Sequence, residues 1–306
     1  MISGRHGRGT IVRKSFLTIT MVRIQIMSDL HLEQDESYNR FEITQETGYL
    51  ALLGNVGNLT FHSEQYQKFL EHHLRSFKII FYVLGPKEED AKKVIRKFGE
   101  RAKGLRDRDS EYGEFVFLDN SRYDLSDENI TILGATMFTN PPRDQMFRLD
   151  TYYRNELEIR SWTSRQHIEA HLETIAYLSR EVDQLAKQDP ERSIIILTHH
   201  CPTLSSQAIG RGHKPDVEGL RYRFAADLKN QHPWAKAENV KLWAFRGTCH
   251  NCDYFEWETG RRIYSNQRGY PGQCRDFKTF SFVDISTYDD PSESVPDRPW
   301  TPEEVF

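Results

Sequence analysis

The sequence predicts an α/β fold, and two observations support this prediction. Short apolar runs alternate with charged segments in which apolar residues recur at helical spacing. Several of these runs stop abruptly at polar residues of the kinds that bind metals or substrates, which is typical of the carboxyl ends of strands in open α/β sheets. We therefore expect strand ends to meet at one edge and to form a site there.

The first half of the chain alternates between the two kinds of element. Strands are expected near 22–27, 49–53, 77–84, 115–118 and 130–135. A helix is expected after the second strand, and its adjacent His72 and His73 are not expected to be ligands, because neighbouring helix positions face different ways. A charged surface helix is expected at 87–98. Residues 99–114 are rich in charged residues and glycine and predict a solvated loop. Residues 143–160 mix arginines with aromatic residues, which fits either a cap that grips phosphate or a solvated loop.

The second half opens with an amphipathic helix, because apolar residues from Ile168 to Leu185 are spaced three or four apart. His167 and His171 share one face of this helix. We expect both at the surface, since the stretch lacks the His-Glu-x-x-His pattern of a zinc site. Further strands are expected at 194–198, 240–245 and 280–285, with a hairpin formed by 254–257 and 262–264.

Composition limits the classes of function. The 306 residues are 38% hydrophobic, which is enough for one sizeable core or two tightly joined ones. A net charge of −4 argues against generic binding to nucleic acid or to a membrane surface, and no apolar run approaches the roughly 20 residues that span a bilayer. Four cysteines without a secretory signal pattern predict a soluble, cytoplasmic protein. Its partner is then expected to be a small molecule or a protein.

The chain is expected to have three parts. Residues 1–20 carry four basic residues and no acidic one, and predict a disordered basic leader, with a transit peptide as the alternative. Residues 21–286 contain all the predicted strands and helices. Residues 287–306 are acidic and proline-rich, and predict a loose tail.

The first strand ends in Asp29-Leu30-His31. Residues two apart in an extended chain point to the same side, so a carboxylate and an imidazole can meet there. This pair suits zinc, iron or manganese, although a turn capped by Asp29 is the alternative. Three later strands end in comparable stretches, namely Gly54-Asn-Val-Gly57, Thr198-His-His-Cys201 and Phe245-Arg-Gly-Thr-Cys249.

With these stretches in this order, residues 21–286 resemble the calcineurin-like metallophosphoesterase family. Its motifs run Asp-x-His, Gly-Asp-x-x, Gly-Asn-His, a strand-end His and Gly-His-x-His. The resemblance implies an α/β sandwich of two mixed sheets flanked by helices, with two metals at the tops of the sheets. It also implies hydrolysis of phosphoesters by a hydroxide that both metals share.

Carried over residue by residue, the first metal position would take Asp29, His31, Asn55 and Cys249. Asn55 stands where the family has its bridging aspartate, and a neutral amide oxygen is a poor bridge between two dications. If Cys249 ionises, the four residues could still hold one tetrahedral zinc. A thiolate ligand would favour zinc or iron over manganese. The alternative is that Cys249 is a small buried residue without a ligand role.

More ligands are missing at the second metal position than at the first. It would take Asn55, Pro86, His199 and Gly247, of which His199 alone is a good ligand. Lys87 stands where the family has its auxiliary histidine; Lys87 and Arg246 could hold an anion, or Lys87 simply begins a surface helix. His200 and His250 lie beside expected ligand positions and are candidate substitutes.

These substitutions predict a pseudo-phosphoesterase, a phosphoester-hydrolase fold without the usual two-metal hydrolysis. Such a protein would hold one divalent metal at most, with zinc or iron favoured over manganese, or none. The alternatives are a repurposed single-metal enzyme and a weakly active phosphomonoesterase or phosphodiesterase. A generic positioned acid or base contributes about 10²–10⁴-fold to a rate, so losing the auxiliary histidine alone would be costly. The sequence names no catalytic residue and no substrate.

Overall fold

A computed structural model gives the architecture of the chain. It describes residues 21–86, 92–155, 162–209, 220–234, 238–247 and 250–286. The predicted leader and tail lie outside these residues, as do Lys87 and Cys249.

Eleven strands occur in the described residues. They are β1 (Met21–Met27), β2 (Tyr49–Leu53), β3 (Ile79–Val83), β4 (Glu114–Leu118), β5 (Ser121–Leu125), β6 (Ile130–Ala135), β7 (Ser193–Thr198), β8 (Val240–Ala244), β9 (Cys252–Phe255), β10 (Arg262–Ser265) and β11 (Phe282–Ser286).

The described helices flank the strands. They are α1 (Ser63–Leu74), α2 (Lys92–Arg106), α3 (Met146–Asn155), α4 (Ser164–Gln188) and α5 (Ser206–Ile209), with short 3₁₀ turns at Ser37–Asn39, Arg143–Gln145 and Leu220–Arg223. Among the described helices, none combines the length and the apolar character needed to cross a membrane.

The strands form two mixed sheets. One has the order β11-β1-β2-β3-β4 and the other the order β5-β6-β7-β8-β10-β9. Neighbouring strands are parallel in the middle of each sheet, and antiparallel strands lie at three of the four edges: β11 beside β1, β5 beside β6, and β9 beside β10. The parallel strands therefore end together at one edge of each sheet.

The sheets pack face to face, and helices cover their outer faces. In β2, Ala51 and Leu53 share a cluster with Ile195 and Leu197 of the other sheet. Leu50 and Leu52, which point the other way, lie in a cluster with residues of α1 and α2. Such strands are buried on both faces, which explains why they are apolar at nearly every position. The fold class, an α/β sandwich of two mixed sheets flanked by helices, is thus confirmed.

Helix α2 differs from the prediction. Residues 99–106 were expected in a loop, but the helix continues to Arg106. Ile95, Phe98 and Ala102 are buried and lie three and four residues apart, so one apolar stripe runs past Gly99. The charged residues that favoured a loop form the exposed face of this helix.

Two other elements also differ. β5 was not predicted, because it is an edge strand whose sequence Ser-Arg-Tyr-Asp-Leu alternates exposed and partly buried positions instead of forming an apolar run. Residues 143–160 were expected to form either a cap that grips phosphate or a solvated loop, but Met146–Asn155 form helix α3.

Candidate functional site

The loops that follow the parallel strands are hydrogen-bonded to one another. Asp29 N–H donates to the Gly54 carbonyl at 3.0 Å, and His31 N–H donates to the Asn55 carbonyl at 3.0 Å. Across the second sheet, Arg246 N–H donates to the His199 carbonyl at 2.9 Å. Contacts of the His199 and Arg246 side chains with Leu53 and Asp29 join the two sets of loops. Five buried polar side chains meet there, those of Asp29, His31, Asn55, His199 and Arg246.

Three of these residues have left-handed backbone conformations. The φ angles are 49° at Asp29, 46° at His31 and 51° at Asn55, and Gly54 beside them has φ 81°. A non-glycine residue in this region typically costs about 1 kcal/mol or more. The strand-end loops therefore hold their polar side chains in place at the expense of stability.

Asp29 is fully buried and is contacted on both carboxylate oxygens. Asn55 Nδ2 donates to Oδ1 at 2.8 Å. Arg246 Nε lies 3.1 Å from Oδ2 as an ion pair, although the two groups lack the alignment of a hydrogen bond. Burial opposes the charge of Asp29, but the Arg246 guanidinium, with smaller effects of His31 and His199, holds the pKa of this carboxyl well below its usual range.

His31 lies between two carboxylates. Its Nε2 is 3.7 Å from Asp29 Oδ1 and its Nδ1 is 3.2 Å from Glu33 Oε1. Burial acts to lower the pKa of this imidazole, but the contacts with Asp29 and Glu33 outweigh it and raise the pKa above the ordinary value. The Tyr270 ring stacks on the imidazole with ring centres 4.4 Å apart. The sequence offered no signal for Glu33 or Tyr270 in these roles.

His199 and His200 face different surroundings, which settles which of the two lies at the site. The His199 ring lies against Gly54 and Gly85, the glycines that follow β2 and β3. A Cβ on Gly54 would be 2.5 Å from His199 Nδ1, and a Cβ on Gly85 would be 3.0 Å from His199 Cε1. His199 Nδ1 is hydrogen-bonded to the Leu53 carbonyl at 2.7 Å. His200 instead packs against Phe138 and His167.

Burial lowers the pKa of His199 to about 4, with Asp29 acting against this effect and Arg246 reinforcing it. The ring is therefore neutral near pH 7. Among the described residues, no hydrogen-bond partner reaches its Nε2. Because Nδ1 donates its hydrogen to the Leu53 carbonyl, the neutral ring has its free lone pair on Nε2, inside the site.

The remaining predicted positions contribute less. Pro86 and Gly247 are buried and bring no ligand atom from a side chain. His250 is exposed, and its backbone carbonyl, not its ring, lies against Gly247. Cys249 and Lys87 are outside the described residues.

The contacts of the Arg246 side chain were not predicted from the sequence. It was expected to help hold an anion, yet its Nε faces Asp29 and its guanidinium lies over the Phe224 ring at 4.8 Å. The residue is only 8% exposed. A planar, weakly hydrated cation is suited to such a buried pair.

His167 and His171 were expected at the surface, and that expectation is wrong. Both are fully buried, because this face of α4 packs on the loop after β6. His167 Nε2 accepts a hydrogen bond from Thr139 N–H at 2.9 Å, and His171 Nδ1 donates to the Phe138 carbonyl at 2.6 Å. Burial, together with the nearby His171, lowers the pKa of His167 to about 3.

No protein-family model matches the chain. Over 276 residues the chain is 22% identical to the Uncharacterized protein L509 of Acanthamoeba polyphaga mimivirus, with 86% of this chain and 96% of that protein covered. The crystal structure of TT1561 of Thermus thermophilus covers 89% of this chain and 100% of its own at 12% identity and a TM-score of 0.39.

Proposed function

We propose that this chain is a phosphoesterase-fold protein that does not carry out two-metal hydrolysis and that uses its strand-end pocket for binding. The observation that carries the proposal is the ion pair between Arg246 and Asp29. It places a permanent cation on the one carboxylate that a metal at this position would need.

Charge is the first argument against a metal pair here. Asp29 supplies one negative charge, and the Arg246 guanidinium already balances it at 3.1 Å. A dication on the same carboxylate would repel the guanidinium and would have to displace it. Removing one partner from a buried ion pair typically costs about 3–5 kcal/mol, so binding would begin with that loss.

The orientation of Asn55 is the second argument. Its Nδ2 donates to Asp29 Oδ1 at 2.8 Å, so its N–H group points to the carboxylate. The reverse orientation would bring the amide oxygen against an ionised oxygen, and the two would repel. Asn55 is thus held as a hydrogen-bond donor toward Asp29, whereas a metal bridge requires an acceptor.

The third argument is the lack of space at Gly247. A Cβ there would lie 2.5 Å from the His250 carbonyl oxygen and 2.8 Å from Gln267 Oε1. The backbone therefore has no room for the histidine of the family's last motif. Taken together, the described donors do not fit a centre of two metals.

Metal content and turnover test the proposal. We expect the purified full-length protein to hydrolyse an aryl phosphate, with added Mn²⁺ or Zn²⁺, no faster than its Asp29→Asn variant. We also expect the metal bound per chain to be the same in both proteins. His31→Gln serves as a second variant, and thermal unfolding checks that each variant is folded.

Two results would contradict this proposal. One is turnover that Asp29→Asn abolishes, and the other is binding of two metals that the same variant removes. A single metal lost in both Asp29→Asn and Cys249→Ser would instead support a repurposed one-metal enzyme.

A further inference from the structure

We propose that Glu42, His72 and His73 form a site for one divalent transition metal, separate from the strand-end pocket. One ligand atom from each residue lies within 4.8 Å of the other two. Glu42 Oε2 is 3.2 Å from His72 Nε2, and the two imidazole rings are perpendicular with centres 5.0 Å apart. The proposal departs from the expectation from the sequence that these adjacent histidines are not ligands, because their ligand atoms lie close together and close to Glu42. We call this group the Glu42–His72–His73 site.

His73 is the anchored ligand of the site. It is buried, and its Nδ1 donates to the Phe69 carbonyl at 2.9 Å. This bond fixes the tautomer and leaves the lone pair on Nε2, which is how metal-binding imidazoles are commonly oriented. Nε2 accepts from Ile43 N–H at 3.3 Å, a long hydrogen bond that metal coordination would replace.

The charge state and the helix end both suit a cation. Burial, reinforced by His72, lowers the pKa of His73 and keeps the ring neutral, as a ligand must be. His72 and His73 lie in the last turn of α1, where the helix dipole is negative. Glu42 adds a full negative charge beside them.

The donor set indicates the metal. Two imidazoles and one carboxylate, with water in the fourth position, are a usual environment for zinc, and copper or nickel would also bind such donors. Glu42 and His72 are exposed, so a metal can reach the site from solvent. Bound metal would tie the segment that carries Glu42 to the end of α1.

Zinc titration of the chelator-treated, full-length protein tests this proposal. By calorimetry we expect one zinc per chain, with affinity reduced at least about tenfold in His72→Ala and also weakened in Glu42→Gln. Both residues are exposed, so both variants are expected to fold. We also expect zinc to raise the unfolding temperature of the wild type but not that of His72→Ala.

The controls separate this site from other histidines. His232→Ala removes another histidine that lies beside a carboxylate, Asp183 at 3.0 Å, and should leave zinc binding unchanged. Asp29→Asn should also leave it unchanged, so that the outcome is independent of the strand-end pocket. Zinc binding of equal affinity in His72→Ala, or no binding by the wild type, would overturn the proposal.

Discussion

Replacing Arg246 with methionine is expected to destabilise the protein by about 3–5 kcal/mol. Methionine keeps much of the volume but leaves the fully buried Asp29 carboxyl group without its guanidinium partner. Asn55 and His31 would then be the groups left beside the carboxylate. The free energy of unfolding, measured with urea at pH 7, gives the size of the effect.

A double-mutant cycle isolates the ion pair. Asp29→Asn removes the charge that needs compensation, so adding it to Arg246→Met should restore part of the loss, with a coupling of about 2–3 kcal/mol. If the two single losses simply add, Arg246 stabilises the protein by packing on Phe224, and its charge has no special role at Asp29.

Acid pH is expected to destabilise the protein through buried neutral histidines, of which His167 is the clearest. Its pKa is about 3 in the folded state, against 6.5 for an ordinary imidazole. The unfolded chain binds the proton more tightly than the folded protein does. The contribution of His167 to the free energy of unfolding is therefore fully present above pH 6.5 and is lost as the pH falls toward 3. For this group alone the loss at pH 4.5 relative to pH 7.5 is about 2–3 kcal/mol.

His167→Gln provides the comparison. Its side-chain oxygen can accept the hydrogen bond from Thr139 N–H that His167 Nε2 now accepts. The variant should therefore lose less stability than the wild type between pH 7.5 and 4.5, whatever its stability at neutral pH. An identical loss in the two proteins would show that protonation of His167 does not contribute. His171 and His200 are also buried with lowered pKa values, so some acid sensitivity should remain.

The backbone arrangement of the site was largely predictable. β1 and β2 are parallel neighbours in one sheet, so the polar residues that follow them had to come close together once the strands were recognised; β7 lies in the other sheet, and the face-to-face packing of the sheets adds His199. Asp29, His31, Asn55 and His199 accordingly meet as expected.

The role of Arg246 was not predictable in the same way. Its position after β8 was clear, but whether it would face solvent, an anion or Asp29 depends on how the ends of the two sheets meet. His167 and His171 show the same limit: helical spacing places them on one face of α4, but only the loop after β6 decides that this face is covered.

The left-handed residues of the strand-end loops have an evolutionary and practical consequence. Asp29, His31 and Asn55 each hold a backbone shape that glycine adopts more easily. Glycine at His31 would relieve this backbone cost, whereas glycine at Asp29 would leave Arg246 buried without its carboxylate, so a laboratory selection for heat resistance alone should change His31 before Asp29. Selection that also demands the native partner should retain the three side chains, and comparing the two selections would show which of them the partner requires.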